Sequence, residues 1–225
     1  MTTKFLTMKN LLFAVIFLLG AGSVSGQAQY KKSKPQFGAK ISVGKMMASE
    51  ETTYVGNPFD FINHEVNYEG SNAVKNIGLF YQQKFGYLFL RSELGFTQYQ
   101  QRYQVRSFVQ VADPQQYATD KFQFVDFQVM AGLNADNFRF GAGPVAHIMA
   151  GNSTDLGFIS GFESKTRPVT YGFVTGVGYD AGHLHLDVRY EIGFRNVGDH
   201  LYYVNRMARS TQKAHILSFT VGVSI

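Results

Sequence analysis

His185, Asp187 and Glu191 recur on one face of a short alternating stretch, and His147 occupies the matching face of another. A His-x-Asp-x-x-x-Glu array on one strand face offers donors for a metal ion or an acid/base pair. More charges share that face on neighbouring stretches: Lys40, Arg91, Arg139 and Arg189 as cations, Glu93 and Asp126 as acids. Opposite charges converging in a narrow space pair with one another, because an unpaired buried charge is costly. These residues therefore favour a salt-bridged core over a selective ion path and over catalysis. No nucleophile accompanies them, since Ser153 and Ser160 are generic loop serines. Gly141-Ala142-Gly143 and Gly176-Val177-Gly178 look like fragments of a phosphate loop, but no helix follows either. Neither a metal nor a cofactor is expected.

Strands must position these residues, because every second residue is apolar in eight successive stretches. Over 183–194, Leu184, Leu186, Val188, Tyr190, Ile192 and Phe194 alternate with His185, Asp187, Arg189, Glu191 and Gly193. The same rhythm predicts strands over about 36–48, 73–85, 87–103, 121–133, 138–150, 168–180 and 213–225. Turns are expected at Gly86, at Asn134-Ala135-Asp136-Asn137 and at Asp180-Ala181-Gly182. The other connections, 49–72, 104–120, 151–167 and 195–212, are long and polar. An even number of strands joined alternately by short and long connections predicts an all-β fold: an eight-stranded antiparallel up-and-down transmembrane β-barrel. The apolar face would meet lipid and the charged, glycine-rich face would line the lumen. The alternative is a soluble periplasmic ligand-binding barrel with those faces exchanged.

The amino terminus supports export. Lys4 and Lys9 precede an apolar run from Leu11 to Leu19 and then small residues as far as Ala28. This reads as a signal peptide over residues 1–28, cleaved after about 26 or 28, which leaves 29–225 as the barrel domain. Removing Lys4 and Lys9 takes the formal charge from +5 to +3. That excess is scattered, and nucleic-acid binding has no support. With no cysteine, neither disulfides nor cysteine lipidation are available. Outer-membrane lipid is the expected surrounding, with short turns periplasmic and long loops external. Tyr54, Phe59 and Phe61 in the first loop, and Tyr202, Tyr203 and Arg206 in the fourth, are candidates for external contact with other envelope proteins.

Three motifs carry a family resemblance. They are the opening Phe37-Gly38-Ala39-Lys40-Ile41-Ser42-Val43-Gly44, the Gly-x-Gly strands, and the closing Ser218-Phe219-Thr220-Val221-Gly222-Val223-Ser224. With the Gln27-Ala28-Gln29 start, the chain resembles the small outer-membrane β-barrels of the Bacteroidota, which include the PorT-like proteins. The resemblance implies the barrel fold and an outer-membrane location, and the expected function is a non-enzymatic envelope role, structural or in protein interaction. One branch of the family is tied to secretion, and its fuller Phe-Gly-Phe-x-Leu-Gly-x-Asn opening is absent here. A membrane-embedded enzyme is the alternative in class.

Overall fold

The computed structural model describes residues 34–47, 52–56, 63–107, 116–155, 162–163, 168–193, 201–203, 206–208 and 215–225. The signal-peptide segment, Phe59, Phe61 and Ser160 lie outside them. The strands are β1 (Gln36–Met47), β2 (Thr52–Gly56), β3 (Asn63–Ser71), β4 (Val74–Phe85), β5 (Leu88–Ser107), β6 (Gln116–Ala135) and β7 (Phe138–Thr154). They continue as β8 (Phe162–Glu163), β9 (Val169–Ala181), β10 (Leu184–Gly193), β11 (Leu201–Tyr203), β12 (Arg206–Ala208) and β13 (His215–Ser224). Among the described residues no helix is long and apolar enough to cross a membrane.

Eight strands form a closed antiparallel ring in the order β1-β4-β5-β6-β7-β9-β10-β13, with β13 returning to β1 and β5 pairing β6. Ile41 faces Ile77 on one side and Val221 on the other, so the alternating sets of β4, β1 and β13 meet in register. Three two-residue turns close one end. Phe85 pairs Leu88, Ala135 pairs Phe138 and Ala181 pairs Leu184. The first residue of each turn has a positive φ: Gly86 62°, Asp136 54° and Gly182 64°. A positive φ at that position alone characterises the type II′ turn, whose twist suits a hairpin.

Some of the expected loop sequence is strand. β3 pairs the upper part of β5, and β2 pairs β3, so a hairpin rises from the wall between residues 52 and 71. β5 and β6 stay paired up to Val105 and Gln116. The expected polar loops 49–72, 104–120 and 151–167 therefore begin or end in ordered sheet. β8, β11 and β12 form a separate three-stranded pairing in which Tyr203 opposes Arg206 and Phe162, and Tyr202 opposes Met207 and Glu163.

Polarity is inverted relative to a water-soluble barrel. Outward Ile41, Ile77, Val188 and Phe219 are 59, 62, 52 and 51 % exposed, whereas inward Arg91 and His185 are fully buried. This apolar belt runs on β5 from Leu88 to Phe96, about 27 Å along the strand and roughly 20 Å along the barrel axis for a tilt of about 40°. Phe85, Tyr87, Phe138 and Tyr179 stand exposed at its turn end, with the Phe138 and Tyr179 rings edge to face at 5.1 Å. Above Phe96 the faces exchange roles. Gln98, Gln100 and Arg102 point out, while Tyr99, Gln101, Tyr103 and Val105 are buried inside. On β6, Lys121 and Gln123 point out and Phe122 and Phe124 point in. Sheet with its apolar side inward is what water requires, so the exchange marks the edge of the belt.

Candidate functional site

The lumen holds all ten charged and histidine residues singled out above, and it stacks them in tiers. Alternation aims one side chain inward from each strand every two residues, and ring closure brings those side chains together. In the tier nearest the turns, Arg139 Nε donates to Asp180 Oδ1 at 2.7 Å and its Nη2 donates to Asp187 Oδ1 at 3.0 Å. Lys84 Nζ lies 2.8 Å from Asp180 Oδ2. Gly178 makes room for the Arg139–Asp187 bridge, since a Cβ there would stand 2.8 Å from Arg139 Nη2 and would also strike Asp187. Gly38 likewise leaves space for the Phe80 ring, over which the Arg91 guanidinium sits at 3.9 Å.

Glu93 anchors the middle tier. Its Oε2 accepts from Lys40 Nζ at 2.5 Å and from Arg189 Nη1 at 2.6 Å, and its Oε1 accepts from Arg91 Nε at 2.6 Å and from Arg189 Nη2 at 2.8 Å. Arg189 Nη2 also reaches Asp187 Oδ2 at 3.1 Å. In the tier above, His147 links two walls: Nδ1 is 2.7 Å from Asp126 Oδ1 on β6, and Nε2 is 2.8 Å from Glu191 Oε1 on β10. Thr97 and Asn76 also donate to Asp126. Between these two tiers lies a cavity of about 60 Å³, lined in part by Lys40, Gln128, His147, Arg189 and Glu191. Gln128 Nε2 and Arg189 Nε are buried without a protein partner. The cavity mixes these polar groups with Val74, Val145, Val174 and Ile216 and is large enough for a few ordered waters.

An aromatic lid covers the charged tiers. Met46, Val74, Tyr99, Phe122 and Phe124 form one buried cluster, with Met149 and Ile216 packed against it. Tyr99 stacks on Phe124 at 5.6 Å, and Phe124 meets the edge of His147 at 6.1 Å. Beyond the lid, above the belt, Asp120 is buried with Oδ1 unpartnered. Burial lifts its carboxyl to about 6; a hydrogen bond from Thr154 opposes the rise and the nearby Asp155 charge adds to it. Burial likewise pushes the Tyr103 phenol up, and the Asp120 charge contributes.

The His-x-Asp-x-x-x-Glu residues enter ion pairs and hydrogen bonds with neighbouring lumen residues rather than a shared array. Among the described residues no group of three or more ligating side chains can hold a metal ion. His147 presents both ring nitrogens to carboxylates, which leaves neither for a metal or a substrate proton. A different connectivity, hidden in the sequence, runs through His185: Nδ1 lies 2.8 Å from Asp180 Oδ1, and Nε2 lies 3.0 Å from Ser224 Oγ. Asp–His–Ser in that order is the hydrogen-bond pattern of a hydrolase triad. Here, however, His185 is fully buried and Ser224 is 3 % exposed. Neighbouring backbone N–H groups are also used, with Ser224 N donating to His183 O and Ile225 N to Phe37 O. A nucleophile without substrate access or oxyanion donors performs no acyl transfer, so this cluster braces the barrel floor. Ser153, at the outer end of β7, is exposed opposite Lys121 and is not near any histidine of the lumen.

Asp180 belongs to the network rather than to the turn. The inward series Gly172, Val174, Gly176, Gly178 could have shown this by continuing to 180, but Asp-Ala-Gly resembles a turn strongly enough to hide it. Of the loop aromatics, Tyr54 lies in β2 opposite Glu65, and Tyr202, Tyr203 and Arg206 lie in β11 and β12.

A closed antiparallel ring that is apolar outside, charged and filled inside, and tightly turned at one end defines a membrane-spanning β-barrel. No protein-family model matches the chain, and no curated protein matches it. Among solved structures, the crystal structure of Neisserial surface protein A is similar at 13 % identity and a TM-score of 0.24, over 86 % of this chain and 99 % of that one. A likeness at that level carries no weight, and the assignment rests on strand pairing and face polarity.

Proposed function

We infer that this is a closed, non-enzymatic β-barrel of the outer membrane, with its short turns periplasmic and its long connections external. In this reading it serves as a structural or interaction component of the cell envelope. The observation that supports it most is a lumen filled by its own side chains, charged tiers below and an aromatic lid above. A barrel filled in this way offers no wide solute path. The strand extensions above the belt, with the β2–β3 hairpin on β5, leave the external end as the surface available to partners. The resemblance to PorT-like barrels adds protein secretion as the context in which to look for them. A soluble ligand-binding barrel is disfavoured, because it would have to expose Ile41, Ile77 and Phe219 to water while burying the Glu93 cluster.

Gel mobility of protein from alkali-washed outer membranes, unboiled against boiled, tests the location. A boiling-dependent shift and retention in the pellet are expected, and absence of both would overturn the reading. Deleting residues 52–71 should then remove partner capture while the shift persists. Loss of function on substituting His147 alone, with capture and shift intact, would contradict the non-enzymatic assignment.

A further inference from the structure

Just above the apolar belt, the outer wall carries cations on four adjacent strands: Lys45 on β1, Lys75 on β4, Arg102 on β5 and Lys121 on β6, all exposed. Their register makes a compact face. Lys75 stands opposite Gln98 and Gln98 opposite Gln123, which forms a row directly over Phe96 and Val125. Gln100 opposite Lys121 forms the next row, and Arg102 opposite Thr119 the third. Two acids flank the upper corners, Glu69 near the β3 bulge beside Arg102, and Asp155, whose backbone N donates to Thr119 O. Among the described residues the lowest row has no acid. On the far half of the rim, the described residues at this height include exposed Ile148, Tyr171 and Ile192. Among the described residues the exposed cations at this height thus gather on β1, β4, β5 and β6, where the lipid headgroups of the external leaflet would be.

We propose that this face binds the headgroup of a phosphorylated, sugar-bearing lipid of the external leaflet. This rests on the membrane reading above. From Gln98 to Arg102 is about 13 Å along β5 and roughly 10 Å along the barrel axis, deeper than the headgroup layer of a simple phospholipid, which adds only about 5–8 Å per side. A small phosphodiester at the hydrocarbon border meets only the Lys45 and Lys75 level. A phosphorylated saccharide extends upward past Lys121, so phosphates can pair with both lysines. The amides of Gln98, Gln100 and Gln123 supply donors and acceptors for hydroxyls between them. Gln100 is partly engaged, its Oε1 accepting from Asn72 Nδ2 at 2.9 Å.

The test is native mass spectrometry of the full barrel in detergent micelles with a diphosphorylated glucosamine-disaccharide lipid, its dephosphorylated form, and phosphatidylglycerol. The parent should retain the diphosphorylated lipid selectively. A Lys75→Gln/Lys121→Gln variant should lose roughly thirtyfold in affinity, and the dephosphorylated lipid should bind the parent about as weakly. Binding by the variant within about twofold of the parent, with its boiling-dependent gel shift intact, would overturn the site. Equal retention of phosphatidylglycerol would overturn the sugar-bearing assignment. A parent without a gel shift would overturn the membrane reading itself and this site with it.

Discussion

Glu93 accepts charge-assisted bonds from Lys40, Arg91 and Arg189 while only 2 % exposed, so one carboxylate is shared among three cations drawn from three strands. Removing its charge leaves those cations facing one another away from bulk water. Glu93→Gln should therefore cost about 3–5 kcal/mol in urea unfolding of the refolded barrel. Asp120 behaves oppositely. Its folded-state pKa of about 6 is above the ordinary 3.8 of an unfolded chain, so the fold disfavours its charged form. Stability from this group is greatest below about pH 4, falls as the pH rises from about 4 to 6, and is flat above that. Asp120→Asn should abolish that slope and, near pH 7, stabilise the protein by about 2–3 kcal/mol. At the floor, a fluorophosphonate probe should leave Ser224 unlabelled, because its hydroxyl is enclosed. Labelling that Ser224→Ala removes would contradict the bracing role. Inward charges such as Glu93 were legible because alternation alone assigns a strand residue to a face. Their partners were not, because Glu93 meets Arg189 only through ring closure across a long sequence separation.

Strand identity was legible from the polar and apolar rhythm, and the three turns from Gly86, Asp136 and Gly182. Asp136 carries a positive φ of 54° without being glycine. Asp136→Gly should stabilise the hairpin by about 0.5–1 kcal/mol, whereas the β-branched Asp136→Val should destabilise it by about 1–2 kcal/mol in the same unfolding assay. Most of β5 was legible, since the strand expected over 87–103 stops four residues short of Ser107, and β6 is expected from 121 rather than 116. What went unread is the exchange of faces above Phe96. Alternation continues there with Gln98, Gln100 and Arg102 opposite Tyr99, Gln101 and Tyr103, but the polar set now faces out. A reading that holds one face apolar throughout keeps the strand as far as residue 103 but assigns its upper residues to the wrong faces, and sees polar loop only beyond it.

At the scale of the whole molecule, one closed ring does two jobs. Its outer surface satisfies lipid with an apolar belt, and its interior satisfies itself with paired charges, so neither face depends on a ligand. Tilt and pairing converge the inward residues of all eight strands, and that convergence fills the lumen. An arginine in mid-belt, as in Leu94→Arg, should cost about 2–4 kcal/mol, whereas the same change at Gln100 should be nearly neutral. The native chain has no cysteine, so each position can carry a single spin label without background. The most direct test of the account is paramagnetic accessibility of labels at Leu94, Val188 and Phe219, against Gln100 and Lys121, in reconstituted lipid vesicles. The account predicts collisions with oxygen dominating at the first three and with a water-soluble nickel chelate at the last two. Chelate-dominated collisions at Leu94, Val188 and Phe219 would contradict a lipid-facing belt.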